Sequence, residues 1–143
     1  MKLSFYALFV FLISSHIFGN DLDKKNIEQL IDIYFKSWSE ADMNSYKSCF
    51  HPKAIIHFNN LGNISESKLD EFVSGQAAAH ESSPSKMKEI PLSKKIIWDN
   101  DTAQVTVRWK LTAENRESYG YDFFTLTKLK NKWKITYLIF QND

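Results

Sequence analysis

"FFTLTKLKNKWKITYLIF", residues 123–140, decides the fold. It reads as two strands joined by a turn near Asn131, with Trp133, Ile135, Tyr137 and Ile139 alternating against Lys134, Thr136, Leu138 and Phe140. Upstream, "TAQVTVRWKLTAE" alternates more cleanly still. Ala103, Val105, Val107, Trp109, Leu111 and Ala113 take one face, and Thr102, Gln104, Thr106, Arg108, Lys110 and Thr112 the other. "SYGYDFFTLTKL" runs between these segments after a turn near Asn115, and "MKEIPLSKKIIW" precedes them as an extended stretch whose Pro91 marks an edge or a bulge. The last third of the chain is therefore a run of long antiparallel strands.

The preceding part is helical. Ile27, Leu30, Ile31, Tyr34, Phe35 and Trp38 fall at i, i+3, i+4, i+7, i+8 and i+11, one face of a helix for which Asp23 is the expected N-cap. A short helix is expected after Asp42, stopped by His51-Pro52 because a residue before proline avoids helical geometry. "KAIIHF", 53–58, is a first strand. A third helix is expected to start near Ser65, with Ile64 stapled onto Leu69. Its stripe is Leu69, Phe72, Val73, Gln76, Ala77 and His80. Helices followed by segregated strands make an α+β domain rather than a doubly wound parallel sheet.

A chain of 143 residues is one domain's length. Residues 1–19 carry Lys2, then the uninterrupted apolar run Phe5–Ile13, then Ser14, Ser15 and Gly19, which is the pattern of a cleaved signal peptide. The run is short of the roughly 20 residues a membrane span needs. The expected organisation is thus a leader, 1–19, and a domain, 20–143, secreted or periplasmic and without stable membrane insertion once the leader is removed. The net charge is +1 with both signs interspersed, which gives no electrostatic footprint for nucleic acid. Cys49 is the only cysteine, so no intrachain disulfide forms. The four histidines show no metal-ligand spacing and the four glycines no phosphate loop, so neither metal nor cofactor is expected.

The stretch "YFKSWSEADMNSYKSCFHPKAIIHF", 34–58, together with "WDNDTAQVTVRW" and "FFTLTKLKNKWKITYLIF", resembles the nuclear transport factor 2-like superfamily, which includes the SnoaL-like cyclases, scytalone dehydratase and ketosteroid isomerase. The resemblance implies a cone: a curved, mainly antiparallel sheet wrapped around three N-terminal helices, with a pocket at its wide end. It implies a pocket lined by Tyr34, Trp38, Phe58, Phe72, Gln76, Trp109, Asp122 and Phe124. With 15% aromatic residues, the chain has enough rings to wall such a space as well as fill a core.

Against the steroid isomerases, Tyr34 falls on the oxyanion-binding tyrosine and Asp122 on the acid that shares the oxyanion, so these two are the catalytic candidates. Phe58 falls on the general-base aspartate. A phenyl ring accepts no proton, so isomerase chemistry is not supported. The expected function is an exported, non-catalytic domain binding a small apolar or cyclic ligand. The alternative is a SnoaL-like enzyme on a hydrophobic cyclic substrate, with water or another carboxylate moving the proton. Alternation leaves the side of Asp122 open, because both faces of its strand are apolar. Those two apolar faces also suggest a homodimer through the outer side of the sheet. His57 should point outward, opposite Phe58.

Overall fold

The computed structural model describes residues 21–83 and 85–143. The expected leader, 1–19, lies outside them. The elements run α1 (Asp21–Ser39), α2 (Met43–Ser48), β1 (Phe50–Asn60), β2 (Asn63–Lys68), α3 (Leu69–Ser82), β3 (Met87–Trp98), β4 (Thr102–Ala113), β5 (Arg116–Leu129) and β6 (Lys132–Asn142). The strands form one sheet in the order β2-β1-β6-β5-β4-β3. Only β1 and β6 pair in parallel; every other neighbour is antiparallel. The sheet curves over the helices, which is the α+β architecture expected from the sequence.

Three local expectations are corrected. Residues 63–68 are strand, not the start of the third helix, and Ser65 lies opposite Phe58. Leu61 and Gly62 both have positive φ and make a two-residue hairpin turn whose twist matches paired strands. The turn delivers β2 onto the free edge of β1, and this pairing outweighs the capping signal. Helix α3 starts at Leu69 without a side-chain cap.

Asp23 is not an N-cap either. It lies inside α1, buried, and accepts hydrogen bonds from Lys128 Nζ (3.0 Å) and Trp133 Nε1 (3.1 Å). It ties the start of the helix to the closing hairpin. The Lys128 hydrogen bond, opposed by burial and helped by Trp133, holds its pKa below the ordinary carboxylate value of 3.8.

The third correction concerns β6. A register shift places Thr125 opposite Tyr137 but Leu126 opposite Ile135, so Thr136 is bulged. Trp133 and Ile135 face the core as expected. Beyond the bulge the faces exchange: Leu138 is buried and Phe140 packs against the core, while Tyr137 and Ile139 turn outward. A similar shift between Pro91 and Ser93 bends β3, the edge strand.

Asp23→Ala should destabilise the protein by about 2 kcal/mol, because Trp133 Nε1 is left buried without an acceptor while Lys128, its side chain 23% exposed, re-solvates. A folded-state pKa below the unfolded value means this contribution is present above about pH 4 and fades as pH falls through the folded value. Urea denaturation at pH 7 and pH 3 measures it; equal losses at both would contradict the ion-pair account.

Candidate functional site

Between the concave sheet and the helices lies a cavity of about 140 Å³. Helix α1 contributes Tyr34 and Trp38, α2 contributes Tyr46, and α3 contributes Phe72 and Gln76. The sheet supplies Glu89, Trp109, Leu111, Asp122, Phe140 and Asn142. The helical members recur at i, i+4 on α1 and on α3, so each helix turns one edge of its apolar stripe to the cavity. Strand β5 turns Gly120, Asp122, Phe124 and Leu126 inward.

Asp122 is 3% exposed. Its Oδ1 accepts from Trp109 Nε1 at 2.8 Å, and its Oδ2 is buried with no hydrogen-bond partner. Burial raises its pKa to about 7, against the pull of Trp109 and of the nearby Tyr34 hydroxyl. Glu89 borders the same cavity. Burial, and then the negative charge of Asp122, push its pKa well above the ordinary carboxyl value. The Tyr34 and Tyr46 rings stand 4.8 Å apart, and burial foremost raises both phenols well above 10, so they are neutral groups able to donate. Gln76 Oε1 accepts from Trp38 Nε1 at 2.7 Å, which leaves its amide N–H groups for another acceptor.

Of the residues named from sequence, Tyr34, Trp38, Phe72, Gln76, Trp109 and Asp122 meet around this one space. Phe58 and Phe124 do not line it. Phe58 stacks behind Phe140 at 4.9 Å, and Phe124 supports Tyr34 edge-on at 5.0 Å from within the core. His57 lies on the outer face, held between the Tyr137 hydroxyl (2.8 Å) and Glu66 (2.9 Å). His80, at the end of α3, packs on Trp38 at 4.5 Å. Cys49 is buried, which lifts its thiol to about 11, and His51 Nδ1 is engaged by the Lys53 N–H; no activated thiol results.

The sequence reading missed Glu89, Tyr46, Leu111, Phe140 and Asn142. Glu89 could have been found from register: it lies opposite Leu111, a residue already on the inward face by alternation. Phe140 is hidden by the bulge at Thr136.

A larger concavity, about 620 Å³, lies elsewhere: a groove between α1 and β3. Its rim residues Asp32, Lys36, Glu40, Lys86 and Lys88 are exposed, and Glu89 is the residue it shares with the inner cavity. The groove is solvated and of mixed charge, whereas the smaller space holds the perturbed acids, which marks the latter as the candidate site. Among the described residues, no group of histidine, cysteine and carboxylate side chains is arranged to hold a metal, and no helix is long and apolar enough to cross a membrane.

Solved structures similar to this chain carry the same architecture. A protein with a cystatin-like fold from Nostoc punctiforme superposes with a TM-score of 0.72 at 16% identity, covering 87% of this chain and 93% of its own. An NTF2-like protein from Shewanella baltica gives 0.68 at 17% identity over 87% and 97%, and one from Pseudomonas putida 0.75 at 8% over 85% and 87%. These likenesses show the fold alone. No curated protein matches the sequence. Residues 22–141 match the family described as "Putative lumazine-binding". With nearly all of the described chain matched, and with three helices under a curved six-stranded sheet, the protein belongs to this lumazine-binding-like family of the NTF2-like fold.

Proposed function

We propose that the protein binds a small cyclic ligand in the cavity beneath Tyr34 and Asp122. The observation that carries this reading is a buried carboxyl with one oxygen unpartnered, facing a space walled mainly by aromatic rings. Unpaired buried polar groups are costly, and a ligand is one way to satisfy them. The volume is near the ~150 Å³ at which an apolar cavity holds benzene, so it suits one ring. A two-ring heterocycle, as the family description suggests, would need the wall at Glu89 to open toward the groove beside it.

Titration with phenol and toluene tests the reading, with Trp38 and Trp109 in the wall as native reporters. A saturable fluorescence change is expected. Leu111→Phe, which fills the space, should weaken binding by about tenfold. Absence of a saturable response to either probe, with unshifted NMR resonances for the lining residues, would sink the reading.

One observation favours a second, enzymatic reading. Glu89 brings a carboxyl to the cavity that already holds Tyr34 and Asp122, supplying the proton acceptor that Phe58 is not. The alternative is then acid–base chemistry on a cyclic substrate. The leader pattern in residues 1–19 supports secretion or a periplasmic location. The outer face of the sheet, where Tyr121 stacks on Phe123 and Arg108 lies over Tyr121, supports a homodimer through that face.

A further inference from the structure

The cavity combines two features that a pocket for neutral hydrocarbon does not need. Its walls include the rings of Tyr34, Trp38, Tyr46, Phe72, Trp109 and Phe140. Its polar floor is acidic, with Asp122 and Glu89 and, among the described residues, no lysine, arginine or histidine in the lining. Aromatic faces are negative at the ring centre and attract cations. Asp122 Oδ2 has no hydrogen-bond partner, although the Tyr34 hydroxyl is near the carboxyl, and the side chain is only 3% exposed. A buried Asp122 without a countercharge, beside the partly exposed Glu89, favours a ligand that carries the charge itself.

Resting on the binding role proposed for this cavity, we propose that its ligand is a small organic cation, a protonated amine with at least one N–H, held among the aromatic rings and hydrogen-bonded to Asp122 Oδ2. A quaternary ammonium would enjoy the rings but leave Oδ2 unsatisfied. A carboxylate or phosphate ligand would face like charge.

The groups facing Asp122 are Tyr34 from α1, Tyr46 from α2 and Glu89 from β3; α3, β4 and β6 present Gln76, Trp109, Leu111, Phe140 and Asn142, none of which titrates. On the outer side of Glu89 the groove carries Asp32, Lys36, Glu40, Lys86 and Lys88. A cation recruits the ionised form of the acids, and Asp122 surrenders its proton near pH 7, so affinity rises with pH.

The test uses cyclopentylammonium, a primary alkylammonium charged across this range, against cyclopentanol, its neutral isostere, by calorimetry at pH 5.5 and pH 8. Cyclopentylammonium should bind at pH 8 about tenfold more tightly than cyclopentanol, and about tenfold more tightly than it does at pH 5.5. Asp122→Asn should remove the preference while remaining folded by circular dichroism, and Glu89→Gln should reduce it. Equal or tighter binding of cyclopentanol at pH 8, or a preference that survives in Asp122→Asn, overturns the cation assignment and leaves the cavity a binding site for neutral ligands. Failure of both probes to bind at pH 5.5 and at pH 8 overturns the binding role itself and the cation assignment with it.

Discussion

Gly120→Ala is expected to cost about 4 kcal/mol, enough to leave little folded protein. A methyl at this position would lie 2.1 Å from the Gln141 carbonyl oxygen and 2.2 Å from Trp109 Cζ2. Gly120 lies opposite Trp109 across β4 and β5, and the indole fills the space where a side chain would stand. Neither neighbour yields cheaply. Gln141 belongs to β6, which is paired to β5 through Tyr121 and to β1 through Asn59, and Trp109 is fixed by its bond to Asp122. The consequence is functional as well as structural, because any shift of Trp109 withdraws the 2.8 Å donor that Asp122 Oδ1 accepts from. Thermal and urea unfolding of the variant measure the effect. A loss below about 1 kcal/mol would mean that the strands accommodate a side chain here and that Trp109 is free to move.

Asp122→Asn should make the protein more stable at pH 8 and change it little at pH 4. The folded carboxyl titrates near pH 7 and the unfolded one near 3.8. Between these values the native state holds a proton that the unfolded state has released, so stability falls as pH rises across the window. Each pH unit crossed between the two values costs about 1.4 kcal/mol, so by pH 8 the loss is on the order of a few kcal/mol. Asparagine keeps the shape and the acceptor for Trp109 Nε1 but never ionises, so the variant escapes the penalty. Glu89, raised by burial and by Asp122, adds to the same trend, while Asp23 works in the opposite direction below about pH 4. Urea midpoints from pH 4 to pH 8 should fall for the native sequence and fall less steeply for Asp122→Asn, whose remaining slope is that of Glu89. Parallel curves would show that Asp122 is not a buried acid of the native state.

Both predictions depend on facts of uneven legibility. The turn at Lys130-Asn131 and the alternation of β4 are local, because strand side chains alternate with period two and turns need particular dihedrals; they could be read directly. The α1 stripe through Tyr34 and Trp38 was equally plain, since a helix repeats every 3.6 residues whatever it packs against. By contrast, β2 carries weak strand signals and exists because β1 has an edge to cover. The side of Asp122 was undecided among the apolar residues on both faces of β5, and only the pairing with β4 and the packing of the helices assigned it inward.

The sequence by itself determined the class and order of the elements, apart from β2, and the inward stripe of each helix, because local periodicity suffices for those, while the candidacy of Tyr34, Trp109 and Asp122 came from the resemblance to the NTF2-like superfamily. The tertiary structure alone decided which of them share a space. A bulge such as that at Thr136 exchanges the two faces of a strand by one residue, bringing Phe140 in and turning Tyr137 out. Register likewise set Glu89 beside Leu111, on the wall that Asp122 shares. These outcomes depend on hydrogen bonds between residues distant in the chain, and on the curvature needed to close the sheet over its helices, which no window of sequence contains.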